Sequence, residues 1–405
     1  MTIKKIFFYS IFFLIFILYL PFIINSFYGP IYPYAFSDLH INYSGGFIRR
    51  GLLGEIARIF NPIIGNIQFF SIIFSILYLI QGLLFFKLLK KIQSYLIITI
   101  LLGLSPALLM FFINTPENFM RRDVFFNIAI MSHALILIKY NLKNLSVDDY
   151  YKFQKFFLIP FLSINILIHE LQFFFVSIHV LLSYVLYDKK IHLFFSSKIF
   201  KIYLLLLIPF LLIIINSGNE YQVEEIKKSI TTFQGITSSD PFIALTGNIN
   251  LLLGSILKSF YYYNYLTFTK LFFAIFFSIN FLVLLFAFCV KKKIITLKNN
   301  LFKIYPFFFL PCLLVFMVGS DFGRWINILC FHLLSFYLVF NINTNVKLKF
   351  NYFFNASVPF FIFAYIFLWT LPEGFMWNQK VFHSSLFNNI YDLVFTAYNY
   401  IILMR

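Results

Sequence analysis

The sequence predicts an all-α, polytopic integral membrane protein with about ten to twelve transmembrane helices. Hydrophobic residues make up 61% of the 405 residues and charged residues only 12%, and the chain contains 62 Phe and 26 Tyr. A soluble fold would have to expose much of this apolar surface, whereas lipid accepts it readily. Runs of spanning length alternate with short polar turns, and lipid favours helices because they satisfy their own backbone groups. We expect one domain over residues 1–405, with a large outer loop at about 217–265.

Lysines set the expected orientation of the helices. Lys4 and Lys5 precede the first apolar run, so the positive-inside rule places the N-terminus in the cytoplasm. This run lacks a small-residue cleavage site, and we expect it to be retained. Lysines on both sides of the run at 156–187 require an even number of crossings, which two short helices meeting at His169 and Glu170 provide. The first of these arms has too few apolar residues to span, and we expect it to be re-entrant. The spans expected before this hairpin are 6–24, 67–89, 95–113 and 124–138.

The second half of the chain continues the same alternation. A long polar segment follows the run at 202–215, and a triple lysine at 291–293 marks a return to the cytoplasm. The segments at 37–60, 114–123, 217–265 and 319–325 are therefore expected to share the outer side. The remaining expected spans are 266–290, 304–318, 326–340, 352–371 and a last short helix toward Arg405.

The stretch at 37–60 concentrates charge and glycine in an otherwise apolar chain. We expect a helix from Phe47 that Pro62 ends, too short to cross a bilayer and lying at the outer membrane surface. Gly45 and Gly46 just before it would supply turning backbone whose N–H groups hold an anion. The alternative is an amphipathic connector in which Glu55 pairs with an arginine one turn later. The apolar side of the expected helix carries Ile48, Leu52, Ile56, Ile59 and Phe60, and the opposite side carries Arg50, Gly51, Gly54, Glu55 and Arg58.

Arginines are distributed differently from lysines, because most lysines lie at cytoplasmic ends and six of the seven arginines lie on the outer side. A guanidinium binds phosphate or carboxylate oxygens through two parallel hydrogen bonds and keeps its charge, which suits a diphosphate at a membrane boundary. The alternative is local pairing, Arg324 with Asp321 and Arg122 with Asp123 or Glu117. The residues we predict to bind substrate are Arg49, Arg50, Arg121, Arg122, Arg324, Gly45, Gly46 and Asp38.

The strongest candidate for a proton acceptor is Glu170, which follows His169 between two apolar runs. Burial raises the pKa of a carboxyl group, which would suit a general base near neutral pH. Asp321 is the other candidate base, and His169 would assist by sharing the proton or bonding a substrate hydroxyl. The alternative is a structural polar turn between helices. We expect no metal and no other cofactor, and His133 and His179 are expected to be packing residues.

Ten to twelve spans, a body rich in Phe and Ile, outer-facing arginines and one large outer loop resemble the O-antigen polymerases (Wzy type) of Gram-negative bacteria. The combination of SGGFIRRG, a buried His-Glu pair and SDFGRW also resembles a group of polytopic proteins of surface-polysaccharide systems. The resemblance implies an enzyme of the inner membrane with its active site facing the periplasm. It implies transfer of a polyprenyl-diphosphate-linked oligosaccharide onto the sugar of another such lipid. The partners it implies are that substrate, membrane lipid and a chain-length regulator protein, and no nucleic acid.

Two other functions remain open from the sequence. A membrane glycosyltransferase of the GT-C kind would use polyprenyl-monophosphate sugars and carry an acidic residue on its first outer loop, where Asp38 lies. A flippase of lipid-linked oligosaccharides would be expected to show repeat symmetry between its halves and charges along a path from both sides. Neither feature is evident in the sequence, which makes the flippase the weaker alternative.

Overall fold

The computed structural model describes residues 3–28, 33–90, 102–114, 119–141, 145–184, 191–230, 242, 245–246, 310–312, 314–315 and 322–341. Every regular element in these ranges is a helix, so the all-α prediction is confirmed there. Within these ranges, five helices are long and apolar enough to cross a membrane. The total of ten to twelve spans stays a prediction, because much of the second half lies outside the described residues, as does Asp321.

Between residues 3 and 141, the described ranges contain three long helices and three shorter ones. α1 and α4 are continuous apolar helices, and α6 begins directly after the arginine pair at 121–122. α2, α3 and α5 are shorter, and Asp38 of α2 lies against Arg122, directly before the start of α6. The bounds are α1 Ile3–Tyr28, α2 Pro33–Leu39, α3 Gly51–Ile64, α4 Asn66–Leu89, α5 Met110–Asn114 and α6 Asp123–Asn141.

The remaining helices complete the bundle around α6. α7 runs unbroken from an α-helical start through a π-helical turn, and α10 contains one 3₁₀ turn. α12 returns from the far part of the sequence and packs along α6, which α4 and α8 also contact. The bounds are α7 Val147–Ile168, α8 Gln172–Tyr184, α9 Ile191–Ser196, α10 Lys198–Ile215, α11 Glu220–Ile230 and α12 Phe322–Asn341.

Burial divides the helices into a core and a lipid-facing surface. α6 is the core helix, since 72% of its spanning window is buried, whereas α1, α4 and α10 expose large apolar side chains such as Phe13, Leu79 and Ile208. Water would penalise such a surface, and the hydrocarbon of a bilayer does not. The arrangement agrees with a membrane protein whose α6 is shielded from lipid by its neighbours.

A buried polar network joins four helices of the bundle, α6, α7, α8 and α10. His133 on α6 lies 3.1 Å from His179 on α8, Nδ1 to Nδ1, and its Nε2 lies 2.7 Å from the Tyr150 hydroxyl on α7. Gln154 on α7 donates to that hydroxyl and to Tyr203 on α10. In a low-dielectric interior such contacts fix helix register, because an unmatched polar group there is costly. The two histidines are therefore polar partners of each other, not ordinary packing residues.

The structure corrects the predicted helix at 37–60. α3 begins at Gly51, because Arg50 adopts a left-handed backbone with φ 65°, and it continues through Pro62 to Ile64, with Gly65 as its C-cap residue. Its buried face is the small-residue face, whereas Ile59 on the predicted apolar side is 62% exposed. Small residues let the α3 backbone approach the chain before it: a Cβ at Gly54 would collide with the Ile41 carbonyl oxygen. The exposed apolar side is then left for lipid.

The hairpin is also longer than predicted. The break falls at His169 and Glu170 as expected, since His169 is extended and α8 begins at Gln172. The first arm, however, is not a short re-entrant helix, because α7 has 22 residues and is long enough to span. Ser146 starts it early: its hydroxyl accepts from the Asp149 N–H and the Asp149 carboxylate accepts in return, a capping box. The polar residues that precede the apolar run at 156–187 are thus the first turns of a helix.

Candidate functional site

Charged side chains from four separate chain segments meet at one end of the bundle. The segments are the α2–α3 connection, the start of α6, the α7–α8 break and the start of α12. Arg50 and Glu170 form the central pair: Nε donates to Oε2 at 2.9 Å and Nη2 donates to Oε1 at 2.5 Å. Arg50 Nη1 also lies 3.7 Å from the Asp38 carboxylate. The predicted site residues Asp38, Arg50 and Glu170 therefore lie in one cluster.

Arg122 ties the backbone of two helix ends to this cluster. Its Nη1 donates to the Ile168 carbonyl at 2.7 Å, at the C-terminus of α7, and its Nη2 donates to the backbone carbonyl of Asp38. Its Nε lies 3.3 Å from the Asp38 carboxylate. A cation is favoured at a helix C-terminus, where carbonyls carry partial negative charge. Since its side chain is 1% exposed, Arg122 is a buried clamp that positions Asp38 beside Arg50.

Arg324 makes a second two-point pair, with Asp123. Its Nε donates to Asp123 Oδ2 at 2.6 Å and its Nη2 donates to Oδ1 at 2.7 Å, and both side chains are buried. The pair joins the first turn of α12 to that of α6. Asp123 was expected, if anything, to pair locally with Arg122, which pairs with Asp38 instead. Asp123 belongs to this cluster and was not among the predicted site residues. Its position directly after two arginines, at the start of a helix, is the feature of the sequence that could have indicated its role.

His169 lies between the two arginine pairs. Its ring meets Trp325 edge-on at 5.9 Å and Phe126 at 5.8 Å, and its Nδ1 accepts from the Leu171 N–H at 3.4 Å and lies 3.7 Å from Glu170 Oε2. An acceptor role for Nδ1 places the ring proton on Nε2. Burial lowers the pKa of His169 well below its usual value, and the nearby Arg50 lowers it further. His169 is therefore a neutral imidazole with one donor.

The protonation of Glu170 is opposite to the sequence-based expectation. Burial raises the pKa of this carboxyl group, but the charge and hydrogen bonds of Arg50 outweigh burial and hold the pKa well below its usual value. The same balance holds at Asp38, where burial raises the pKa but Arg122 and Arg50 together lower it below its usual value. The expectation of a raised pKa at Glu170 was wrong, because nothing in the sequence indicates that Arg50 lies against Glu170. Both carboxyl groups are ionised in this state.

The remaining predicted residues lie around this cluster. Arg121 is buried and close enough to Asp38 to stabilise its charge, and Arg49 acts likewise on Glu170. Arg49 also donates to the Leu245 carbonyl at 3.4 Å, within the predicted outer loop. The glycines face α11: a Cβ at Gly45 would lie 2.6 Å from the Gln222 Cα, and the Gly46 N–H donates to the Tyr43 carbonyl at 3.0 Å. An anion site at these glycines stays a prediction.

Backbone strain occurs beside the arginines. Across the described ranges, the non-glycine residues with positive φ are Arg50, at 65°, and Met120, at 68°. A side chain in the left-handed region costs free energy and persists only when its surroundings enforce it, which is common at functional sites. Arg50 is held by its pair with Glu170, and Met120 directly precedes Arg121 and Arg122. The strain thus accompanies the placement of the guanidinium groups.

Exposure separates the members that a ligand can reach from those it cannot. Arg50 and Glu170 side chains are each 16% exposed, whereas Arg122, Asp123 and Arg324 are 5% exposed or less. An arginine fork that can exchange a carboxylate for a phosphate is a suitable anion receptor, and a displaced carboxylate is a proton acceptor. The arrangement is chemically capable of both tasks at one point. Among the side chains that the structure places, no three His, Cys, Asp or Glu are arranged to hold a metal ion.

Comparisons of the chain with protein-family models, with curated proteins and with solved structures found no significant match.

Proposed function

We propose that the chain is a membrane glycosyltransferase of surface-polysaccharide synthesis. It would transfer an oligosaccharide from a polyprenyl diphosphate onto a sugar hydroxyl of a second lipid-linked unit, as a polymerase does. The observation that carries this proposal is the Arg50–Glu170 pair, a two-point ion pair that is partly exposed at one end of an apolar helical bundle. The proposed setting is the bacterial inner membrane with the cluster facing the periplasm, and a chain-length regulator is the proposed protein partner.

The reaction would begin with an exchange at Arg50. A diphosphate oxygen is a strong two-point acceptor for a guanidinium and would compete with Glu170 for Nε and Nη2. Once displaced, Glu170 loses the charge that holds its pKa low, and burial then raises that pKa. Substrate binding would thereby create the base. In the resting enzyme Glu170 would be ionised and paired with Arg50. It would act as a base only when the donor is bound.

The transfer step forms one bond and breaks another. The acceptor hydroxyl oxygen bonds to the anomeric carbon, the bond from that carbon to the diphosphate oxygen breaks, and the polyprenyl diphosphate leaves with the electron pair. The hydroxyl proton passes to Glu170. Arg50 stabilises the negative charge of the leaving group, which is the type of electrostatic stabilisation that contributes most in many enzymes. His169, neutral and with its proton on Nε2, would donate a hydrogen bond to substrate oxygen.

One observation favours a second candidate. Asp38 lies in α2, in the segment predicted to be the first outer loop, and its carboxylate faces Arg50 and Arg122. This is the placement expected of an acidic residue in a GT-C-type enzyme that uses polyprenyl-monophosphate sugars. The two candidates share a glycosyl transfer at the same cluster and differ in the donor. A flippase would use the cluster only to bind the headgroup.

Donor choice tests these functions. Purified protein in lipid nanodiscs would be given a polyprenyl-diphosphate oligosaccharide or a polyprenyl-monophosphate sugar, each with an acceptor lipid, and products would be separated by chain length. The proposal predicts longer glycans and free polyprenyl diphosphate from the first donor only. Product from the monophosphate donor alone would establish the second candidate. Headgroup translocation in liposomes with no glycan extension from either donor would refute glycosyl transfer and support a flippase.

A further inference from the structure

An apolar groove lies between α1 and α4. It has a volume of about 280 Å³, and it follows one face of α1 from Phe12 to Ile23. At 1.5 Å per residue this stretch is about 16 Å long, roughly half the thickness of a bilayer core. The Ser75 hydroxyl in its wall is satisfied by the Ser71 carbonyl at 2.6 Å, so the wall there offers no free donor. The lining includes Phe16, Tyr19, Ile23, Ser75, Leu79 and Gly82.

The groove opens to the membrane. Phe16 is 40% exposed, Ile76 49% and Leu79 47%, and all three belong to the lining. α1 and α4 are among the five helices of spanning length. A molecule in the groove could therefore enter sideways from the hydrocarbon without leaving lipid. A hydrocarbon chain is the chemistry that such a wall accepts.

The inner wall of the groove is continuous with the charged cluster. Tyr78 lines the groove and stacks on Phe119, with ring centroids 5.0 Å apart. Phe119 comes two residues before Arg121, and the Tyr19 hydroxyl on the same wall donates to the Leu109 carbonyl at 2.7 Å. The wall thus packs directly against the segment that carries Arg121 and Arg122. A ligand with a charged headgroup and an apolar tail would find both parts of its site in one body of the protein.

We propose that the α1–α4 groove binds the first isoprene units of the polyprenyl tail of the donor lipid, while the cluster at Arg50 binds its phosphate groups. The proposal rests on the proposed function for the identity of the lipid. It adds that the enzyme binds the tail of the donor lipid as well as its headgroup. The cavity holds only a short part of a polyprenyl chain, so the remainder lies in the bilayer.

Gly82 provides the means to block the groove. A Cβ placed there meets only the Phe12 ring, at 3.7 Å, which is an ordinary contact. Gly82→Ala should therefore leave the groove open, whereas Gly82→Phe should fill its inner half. Ile80→Phe adds the same ring to α4 at a lipid-exposed position outside the lining. These three variants separate blocking of the groove from a general effect of bulk on α4.

The probe is a photoactivatable polyprenyl diphosphate with its reactive group on the second isoprene unit, in nanodiscs. Labelling of wild type, Gly82→Ala and Ile80→Phe should fall on α1 or α4, and Gly82→Phe should need at least about tenfold more probe. That change corresponds to loss of roughly two buried methylene contacts. If Gly82→Phe does not fold, Leu79→Trp is the second blocking variant. Labelling of the blocking variant equal to that of Gly82→Ala, or labelling of wild type outside α1 and α4, would overturn the proposal.

A second readout separates this proposal from the proposed function. With a full-length polyprenyl donor, Gly82→Phe should raise KM at least about tenfold, whereas with a single-isoprene donor it should match wild type, since that tail does not reach Gly82. Labelling in the groove without any glycan product would support tail binding in the groove and refute glycosyl transfer. Glycan product with equal KM for both donors in all variants would support glycosyl transfer and refute tail binding in the groove.

Discussion

Arg50 and Glu170 are 120 residues apart in the chain and form a two-point ion pair, Nε to Oε2 at 2.9 Å. The pair joins the N-terminal end of α3 to the break between α7 and α8. It explains two other features: the left-handed backbone at Arg50, which aims the guanidinium at the break, and the lowered pKa of Glu170. In the unliganded protein the candidate base is therefore held by the candidate phosphate receptor.

Arg50→Lys should impair glycan transfer although it keeps the charge. An ammonium cannot make the two parallel bonds that the guanidinium makes to Glu170 or to a phosphate. Loss of one charge-assisted hydrogen bond predicts a decrease in kcat/KM of about tenfold or more. Arg58→Lys is the matched control, because Arg58 also makes a two-point pair, with Glu55, but is 49% exposed at the surface of α3. Equal activity of the two variants would show that Arg50 acts only as a point charge.

Acid should destabilise the protein partly through Glu170. A carboxyl group whose folded pKa is lowered contributes stability above its unfolded pKa, here 4.5, and loses that contribution as pH falls toward the folded pKa. Thermal unfolding in detergent between pH 7 and pH 3 should show a smaller decrease in Tm for Glu170→Gln than for wild type. Asp38 has a lowered pKa as well, so the variant should keep some pH dependence. Parallel curves for the two proteins would contradict this assignment.

Separating Asp123 from Arg324 should destabilise the fold. Both side chains are buried, and removing one partner leaves an uncompensated charge, at a cost of roughly 3–5 kcal/mol. Asp123→Asn should lower Tm strongly, and the double variant Asp123→Leu with Arg324→Leu should lose less than the sum of the two single leucine variants. Additive losses would mean that the two side chains do not depend on each other.

Gly54→Ala should disturb the packing of α3. The added methyl group would collide with the Ile41 carbonyl oxygen and lie 2.8 Å from the Leu39 carbonyl oxygen, both of them backbone atoms. Overpacking of this kind costs about 1–3 kcal/mol, which should appear as a lower Tm and a lower yield of folded protein. Gly82→Ala is the control, since its methyl group meets only a side chain at 3.7 Å. A Tm equal to that of the control would show that α3 can move away freely.

The sequence predicted those features that depend on local composition. Apolar runs gave the helical membrane fold, and the polar dipeptide at His169 and Glu170 gave the break between α7 and α8. Helix ends were less predictable. α3 starts after Arg50, which has a left-handed backbone conformation, and the helix continues through Pro62; helix propensities indicate neither feature.

Pairings across the fold could not be read from the sequence. For Arg324 the sequence suggested substrate binding, with a local pair to Asp321 as the alternative, and nothing in it indicated the pair with Asp123, 201 residues away. His133 and His179, 46 residues apart, have no local sign of their contact. The sign of the pKa shift at Glu170 depended on such a partner: burial alone raises it, and Arg50 reverses it. Asp321, the alternative base, lies outside the described residues and stays a prediction.

Single-turnover transfer by Glu170→Gln tests the central claim most directly. Purified variant and wild type in nanodiscs would receive polyprenyl-diphosphate oligosaccharide, with donor binding measured separately and Glu224→Gln, at an exposed position of α11, as a surface control. Removal of a general base costs about a hundred- to ten-thousand-fold in rate. The account predicts that loss for Glu170→Gln with donor binding at least as tight as in wild type, because Arg50 no longer has a carboxylate to release. A folded Glu170→Gln variant that binds donor and extends glycans at the wild-type rate would contradict the account.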